Sequence, residues 1–378
     1  MHYLDNAATT CVAQSAADVA DEVLRVHFAN PSSLYGIGAK SELVIKKARE
    51  TVAHSLGCTA AEITFTSCGS EGNNIAIQGA CAARKAWANN IVVTGYEHPS
   101  VQNTVVAMRE NGFDVTVIYP DENGIVSIEE MAAAVNAKTA LVAAMHVNNE
   151  IGAALDVARL AALVKEKNRR TAVHIDGVQA WGKLKIKLAD TQIDTYTVSG
   201  HKIHAPKGIG ALYIRKGFHI LPYMHGGGQE RGLRPGTENT AYIAAMAKAC
   251  ELAQADFKQK CEKIAAISSA LRAQLEAIEG VTLNSPKSAL PDIINFSVEN
   301  IKSETMLHFL ESNEIYVSSG SACSKGEASH TLSAMKLPKT RIDTAIRVSF
   351  SYDSTAADTD ALIAALKEGI ATIAKIRR

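Results

Sequence analysis

Ser199-Gly200-His201-Lys202-Ile203-His204-Ala205-Pro206-Lys207-Gly208-Ile209-Gly210 is the stretch that decides how this chain is read. Ahead of it, Asp194 to Val198 alternates apolar and polar residues and is rich in β-branched and aromatic side chains, which predicts a strand. Behind it, Ala211 to Ile214 predicts another. Lys202 therefore falls in a tight loop at the end of a strand, bounded by glycines and a proline. A lone lysine in a loop is usually a solvated side chain. Here a serine and a histidine, Ser199 and His201, stand just before it, and such groups can donate to a phosphate while the lysine amine condenses with a carbonyl. Pyridoxal 5′-phosphate needs this pairing, because its aldehyde requires a lysine and its phosphate requires donors nearby.

A second motif, His174-Ile175-Asp176-Gly177-Val178-Gln179, closes an earlier apolar run. An acid at Asp176 can keep a pyridine nitrogen protonated, so that the ring draws electrons from a substrate Cα. With both motifs in hand, the chain resembles the pyridoxal-phosphate-dependent cysteine desulfurases, within the class-V aminotransferase group of fold-type I enzymes, over nearly its whole length. The resemblance implies a large domain at residues 12–255 and a smaller α+β C-terminal domain at 256–378. Residues 1–11 join the smaller domain, which carries the Cys323 loop.

The alternation of strands and helices from 61 to 214 independently predicts an α/β fold, with a mainly parallel sheet flanked by helices. The chain has 378 residues, of which 47% are hydrophobic, enough for a large core plus a smaller one. A formal net charge of +0 gives no electrostatic case for nucleic acid or an anionic membrane. Met1 to Asn6 shows neither the basic nor the apolar region that opens a secretory leader. No apolar run approaches the ~20 residues that span a bilayer. The seven cysteines are odd in number and contain no Cys-x-x-Cys. A disulfide framework or a metal site is therefore not expected, and a reducing cytoplasmic setting is.

In chain order, Lys40 to Leu56 carries the spacing of an amphipathic helix. The short strand Ile63 to Thr66 leads through Ser67-Cys68-Gly69-Ser70-Glu71-Gly72-Asn73-Asn74 into a helix reaching about Trp87. Such a loop with a helix N-terminus behind it favours an anion, although Ser70 could equally be a helix cap. The resemblance makes Gly69 and Ser70 the phosphate binders. It also makes His98, after strand Ile91 to Thr94, the residue that stacks on the pyridine ring and carries protons. Asn148, after a buried strand from Thr139 to Val147, becomes a contact to the substrate carboxylate or a cofactor oxygen. Gln179 joins Asp176 as a cofactor contact. In the glycine-rich run 226–239, Thr237 is implied to reach the phosphate of a neighbouring subunit, which makes a homodimer. From Thr240 to about Ile278 the pattern is helical and Ala-rich, joining the large domain to the small one.

Two segments of the C-terminal region carry chemistry. Ser318-Ser319-Gly320-Ser321-Ala322-Cys323-Ser324-Lys325-Gly326 surrounds Cys323 with polar residues, where a lowered thiol pKa fits better than burial. Arg347 lies within the apolar strand Ala345-Ile346-Arg347-Val348-Ser349; a buried Arg needs a partner, and the substrate α-carboxylate is the expected one. The implied function is conversion of L-cysteine to L-alanine with a persulfide left on Cys323. A sulfur-acceptor protein or a small thiol would then collect it for iron–sulfur clusters, tRNA thiolation or a thio-cofactor. A selenocysteine lyase would use the same groups, and another class-V aminotransferase would not need the Ser-Ala-Cys-Ser run. A catalytically idle scaffold would not need every catalytic residue type in place.

Overall fold

A computed structural model describes residues 1–320 and 328–373. Its strands are β1 (His2–Tyr3), β2 (Ile63–Thr66), β3 (Asn90–Thr94), β4 (Asp114–Ile118), β5 (Thr139–Met145) and β6 (Ala172–Asp176). They continue with β7 (Thr195–Ser199), β8 (Gly210–Ile214), β9 (Val281–Leu283), β10 (Ile293–Val298), β11 (Ile315–Tyr316) and β12 (Ala345–Ser349). The central sheet has seven strands in the order β2-β8-β7-β6-β5-β3-β4. β8 pairs antiparallel with both neighbours, and every other pairing in this sheet is parallel.

The continuous apolar runs explain this layer. All seven residues of β5 are buried, as are all five of β6 and of β7. A strand buried on both faces needs helices on both sides, and parallel pairing with helical crossovers supplies them. From β3 the chain moves outward to β4 and then returns to β5 on the other side. The order therefore reverses between β3 and β5, at the carboxyl edge where open α/β sheets collect ligands. The residues that follow β2, β3, β5, β6 and β7 emerge at that edge.

A three-stranded antiparallel sheet, β12-β10-β9, forms a second layer with its own apolar cluster. That cluster includes Leu4, Leu271, Phe296, Leu310, Val348 and Leu362. β1 pairs with β11, and Asp5 bridges to Ser349, so the N-terminal segment packs with the C-terminal layer. The helical stretch expected from Thr240 to about Ile278 consists of two helices, Thr240–Gln254 and Phe257–Glu276. Asp256 between them takes a left-handed backbone with φ 51°. The Ala-rich composition favours helix on both sides and so conceals the break. Helices Gly36–Ser55 and Gly69–Arg84 match their expected positions within a few residues at the ends.

Gly177, directly after Asp176, sets how closely β6 approaches β7. A Cβ built there would lie 1.9 Å from the Tyr196 ring, which is fully buried. Tyr196 cannot yield easily, because its hydroxyl is 2.8 Å from His146 Nδ1. Gly177→Ala is therefore expected to cost about 1–3 kcal/mol from overpacking. The check is the urea midpoint; a midpoint equal to that of the parent protein would contradict the packing described.

Candidate active site

The carboxyl edge of the central sheet encloses a cavity of about 220 Å³. Ala7, Ala8, Cys68, Gly69, Ser70, Asn73, His98, Asp176, Gln179, Ser199, His201, Lys202 and Arg347 all contribute to its wall. Three layers of the sequence thus meet in one place: the N-terminal segment, the ends of β2, β3, β6 and β7, and the middle of β12.

Lys202 ends the short 3-10 turn Gly200–Lys202 that follows β7. Its Nζ donates to the Ala7 carbonyl at 2.5 Å and to the Ala8 carbonyl at 2.7 Å. Peptide dipoles from the first residues of the chain thus hold the amine at the cavity wall. His201 stands beside it, its Nδ1 3.3 Å from Thr9 Oγ1. Burial, with the charges of Lys202 and Lys207 behind it, pushes the His201 imidazole down to about 4, so the ring is neutral at pH 7.

The opposite wall is an acid and its supports. Asp176 accepts from Asn73 Nδ2 at 2.8 Å and from the Val178 N–H at 3.0 Å. Asn73 also donates to Ser100 Oγ at 2.9 Å, and its Oδ1 is 3.1 Å from His174 Nε2. Burial pushes His174 down to about 3, so it is a neutral imidazole. With both Asn73 amide hydrogens committed to oxygen acceptors, Oδ1 must accept, and His174 Nε2 is the donor. His98 Nδ1 accepts the Ser100 N–H at 3.1 Å, so in the neutral ring the proton sits on Nε2. Burial lowers the His98 pKa, with Asp176 opposing and Lys202 reinforcing the shift. One asparagine therefore couples the carboxylate to the setting of the imidazole. Asn73 did not stand out in the sequence, because Asn73-Asn74 reads as turn before a helix that in fact begins at Gly69.

Pyridoxal phosphate is a fit for these residues on a direct observation. Ser199 Oγ is buried, lines the cavity and has no hydrogen-bond partner among the described residues. A buried hydroxyl without a partner is costly, and an anionic oxygen would satisfy it. Ser70 and Gly69, at the first turn of the 16-residue helix Gly69–Arg84, add the positive end of a helix dipole. Gly69 has to be glycine here, since a Cβ would lie 2.7 Å from Val178 Cγ2. Gln179 Nε2 donates to the Ala7 carbonyl at 2.9 Å, leaving its oxygen toward Lys183.

Arg347 is 1% exposed, yet its Nη2 reaches Asp5 Oδ1 at 2.6 Å and its Nη1 the Asn149 carbonyl at 3.0 Å. Its Nε has no partner among the described residues. Asn148 requires a correction. It is fully buried and does not line the cavity: Nδ2 is 3.2 Å from the Tyr96 carbonyl, and Oδ1 accepts the N–H groups of Glu150 and Ile151. Its side chain is consumed in building the turn, and the next residue, Asn149, lines the cavity instead. Thr237 is exposed and outside the cavity of the single chain. Cys323 lies outside the described residues.

The sequence profile of the family described as "Aminotransferase class-V" matches residues 2–362. A NifS/IcsS protein homolog of Lactobacillus delbrueckii subsp. bulgaricus is 39% identical over 373 residues, covering 97% of each chain. The cysteine desulfurase IscS of Clostridium botulinum is 40% identical over 96% of this chain and 93% of its own. Among solved structures, a NifS-like protein superimposes with a TM-score of 0.93 at 34% identity, over 98% of this chain and 99% of that one. SspA in complex with cysteine does so with a TM-score of 0.83 at 33% identity, over 93% and 99%.

Behind His98, Glu97 is buried and holds the Met145 N–H at 2.7 Å. Burial, aided by the Asp176 charge, pushes its carboxyl up to about 8. Between the unfolded carboxyl range near ~4.3 and that value, the folded chain keeps a proton that the unfolded chain has released. Stability from this group is complete below the lower limit and is lost as pH rises through the upper one. Glu97→Gln should flatten the fall in melting temperature between pH 5 and 9, measured by scanning calorimetry as ~pH-unit steps. An unchanged slope would assign the titration elsewhere.

Proposed function

The chain belongs to the class-V aminotransferase family, in its cysteine desulfurase group, and from that premise we propose that it converts L-cysteine to L-alanine and places the sulfur on Cys323 as a persulfide. The observation that carries this reading is the convergence of Lys202, Asp176, His98, Ser199 and Arg347 on one cavity. The cysteine bound to SspA supports the substrate assignment. Bound pyridoxal phosphate supplies an aldehyde for Lys202 and a ring that accepts the electron pair released at the substrate Cα.

The residues do the rest. Ser199, Ser70, Gly69 and His201 hold the phosphate, and Gln179 completes the cofactor contacts. Asp176, kept in place by Asn73 and the Val178 N–H, holds a proton on the ring nitrogen. Lys202 moves the Cα proton, and the Ala7 and Ala8 carbonyls stabilise its protonated form. Arg347 binds the substrate carboxylate by sharing or exchanging its contact with Asp5. His98, with its proton on Nε2, carries a proton near the substrate sulfur. The Cys323 thiolate bonds to that sulfur as the Cβ–S bond breaks; the carbon fragment keeps the electron pair, takes up a proton and leaves as alanine. A sulfur-acceptor protein or small thiol then removes the outer sulfur.

The same reading divides the chain into residues 12–255 and 256–378 with 1–11, which the separate apolar cluster containing Leu4 supports. It places the protein in the cytoplasm; no described helix is long and apolar enough to cross a membrane. It also makes the protein a homodimer. Leu24, Val26, Phe28, Leu34, Tyr35 and Ile37 are each at least half exposed, a density of apolar surface that supports burial against a second copy.

Cys323→Ser should keep its cofactor absorbance and still change that absorbance on adding L-cysteine, yet release alanine at no more than about 1% of the parent rate. Mass spectrometry after one turnover decides the assignment; a sulfur adduct on Cys68 or Cys81 in the parent protein would overturn it. For the dimer, Thr237→Val should loosen the cofactor roughly tenfold with the melting curve of the cofactor-free protein unchanged. Light scattering that finds a fully active monomer would refute the shared site.

A further inference from the structure

The opposite edge of the central sheet carries a second cavity, of about 460 Å³. It opens where β8 ends and where β6 and β7 begin, so the full length of the strands separates it from Lys202. Six cationic side chains line it: Arg84, Lys165, Arg169, Arg170, Arg215 and Lys216. A single carboxylate, Asp194, shares the wall.

That carboxylate is already in use. Asp194 Oδ2 accepts from Lys165 Nζ at 2.5 Å and from the Val173 N–H at 2.8 Å, and its Oδ1 lies 3.7 Å from Arg215 Nε. Arg84, Arg169, Arg170 and Lys216 form no ion pair among the described residues. Arg84 is only 8% exposed; its Nε donates to the Arg170 carbonyl and its Nη1 to those of Ala80 and His219. Carbonyl dipoles orient the guanidinium without cancelling its charge. Burial lowers its pKa, the nearby Asp194 charge opposes that shift, and Arg170 adds a smaller contribution to it. The six cations thus share one carboxylate, and Arg169, Arg170 and Lys216 reach solvent with no ion pair among the described residues.

The aromatic residues fix the geometry. The Arg170 guanidinium lies 3.8 Å from the centre of the Trp87 ring, and that of Arg84 lies 4.5 Å from the centre of Phe218. A ring against the flat face of a guanidinium leaves the N–H edge to point elsewhere. The Arg170 side chain makes no hydrogen bond among the described residues, so its edge donors are uncommitted. Arg169 and Lys216 are exposed beside it.

We propose that this cavity binds a small oligophosphate, such as the phosphate chain of a nucleotide or a free polyphosphate, at a site separate from catalysis. Guanidinium edges match phosphate oxygens in pairs, and several phosphates are needed to balance the excess charge.

The test uses the full chain with its cofactor bound, so that the catalytic phosphate site is filled. Calorimetric titration with sodium tripolyphosphate at low salt should show saturable binding of one ion per chain. The double variant Arg170→Gln, Lys216→Gln changes two exposed side chains and should keep the parent melting temperature and cofactor absorbance. Its affinity should fall about tenfold or more, and added salt should weaken binding in the parent. Absence of saturable binding would overturn the proposal, as would undiminished binding in the variant. Binding of a polyglutamate peptide without binding of tripolyphosphate would also overturn it and assign the cavity to a protein partner.

Discussion

Arg347 places a full positive charge in the middle of a strand that water does not reach. A guanidinium so placed is tolerable only with a counter-charge and oriented dipoles around it. Asp5 supplies the first and the Asn149 carbonyl the second. Each partner adds to contacts that already anchor its segment: β1 pairs with β11 and Asn6 and Ala7 bond Ser349, while Asn295 Nδ2 donates to the Glu150 carbonyl. Asp5 brings in residues 5–8, whose carbonyls then meet Lys202 and Gln179. Asn149 brings in the turn after β5, where the Asn148 amide and Glu150 tie the turn to Thr331 and Ser329. The setting of the catalytic lysine thus includes an arginine from another sheet, through Asp5 and the segment that follows it.

The remainder of the site is a study in burial used in both directions. His174, His201 and His98 are all kept toward the neutral side by loss of water. Neutral imidazoles have one donor and one acceptor, so they can fix the orientation of an amide or accept a backbone N–H. Charged rings, with donors on both nitrogens, could not take those roles. Glu97 is pushed the opposite way, toward its neutral acid, which spares Asp176 a second negative charge close by. The edge of the sheet therefore keeps its negative charge where a ring nitrogen would need it.

Much of this was legible from residue order. Apolar runs at β5, β6 and β7 marked doubly covered strands, and the motifs around Asp176 and Lys202 marked their ends. Lys202, Asp176 and Arg347 stood out from their local settings, whereas Gly69, Ser70 and His98 were assigned through the family resemblance. What sequence could not resolve was the use of side chains that differ only in direction. Asn148 and Asn149 are chemically identical neighbours, and only the turn decides which amide is consumed within it. Asn73 escaped notice because its partners, Asp176, His174 and Ser100, lie from 27 to 103 positions away. Asp256 interrupts a helix whose composition favours continuity, so the break follows from packing.

The pairing of Asp5 with Arg347 spans 342 positions of sequence. At a synthesis rate of about 5–20 residues per second, the N-terminal strand waits roughly 17–70 s for its partner to leave the ribosome. The central sheet, whose strands end at Ile214, can assemble during that interval. Residues 2–8 cannot, because the strand and the guanidinium that order them have not yet been made. The finished setting of the cavity accordingly waits for β12, long after the last strand of the central sheet has been made.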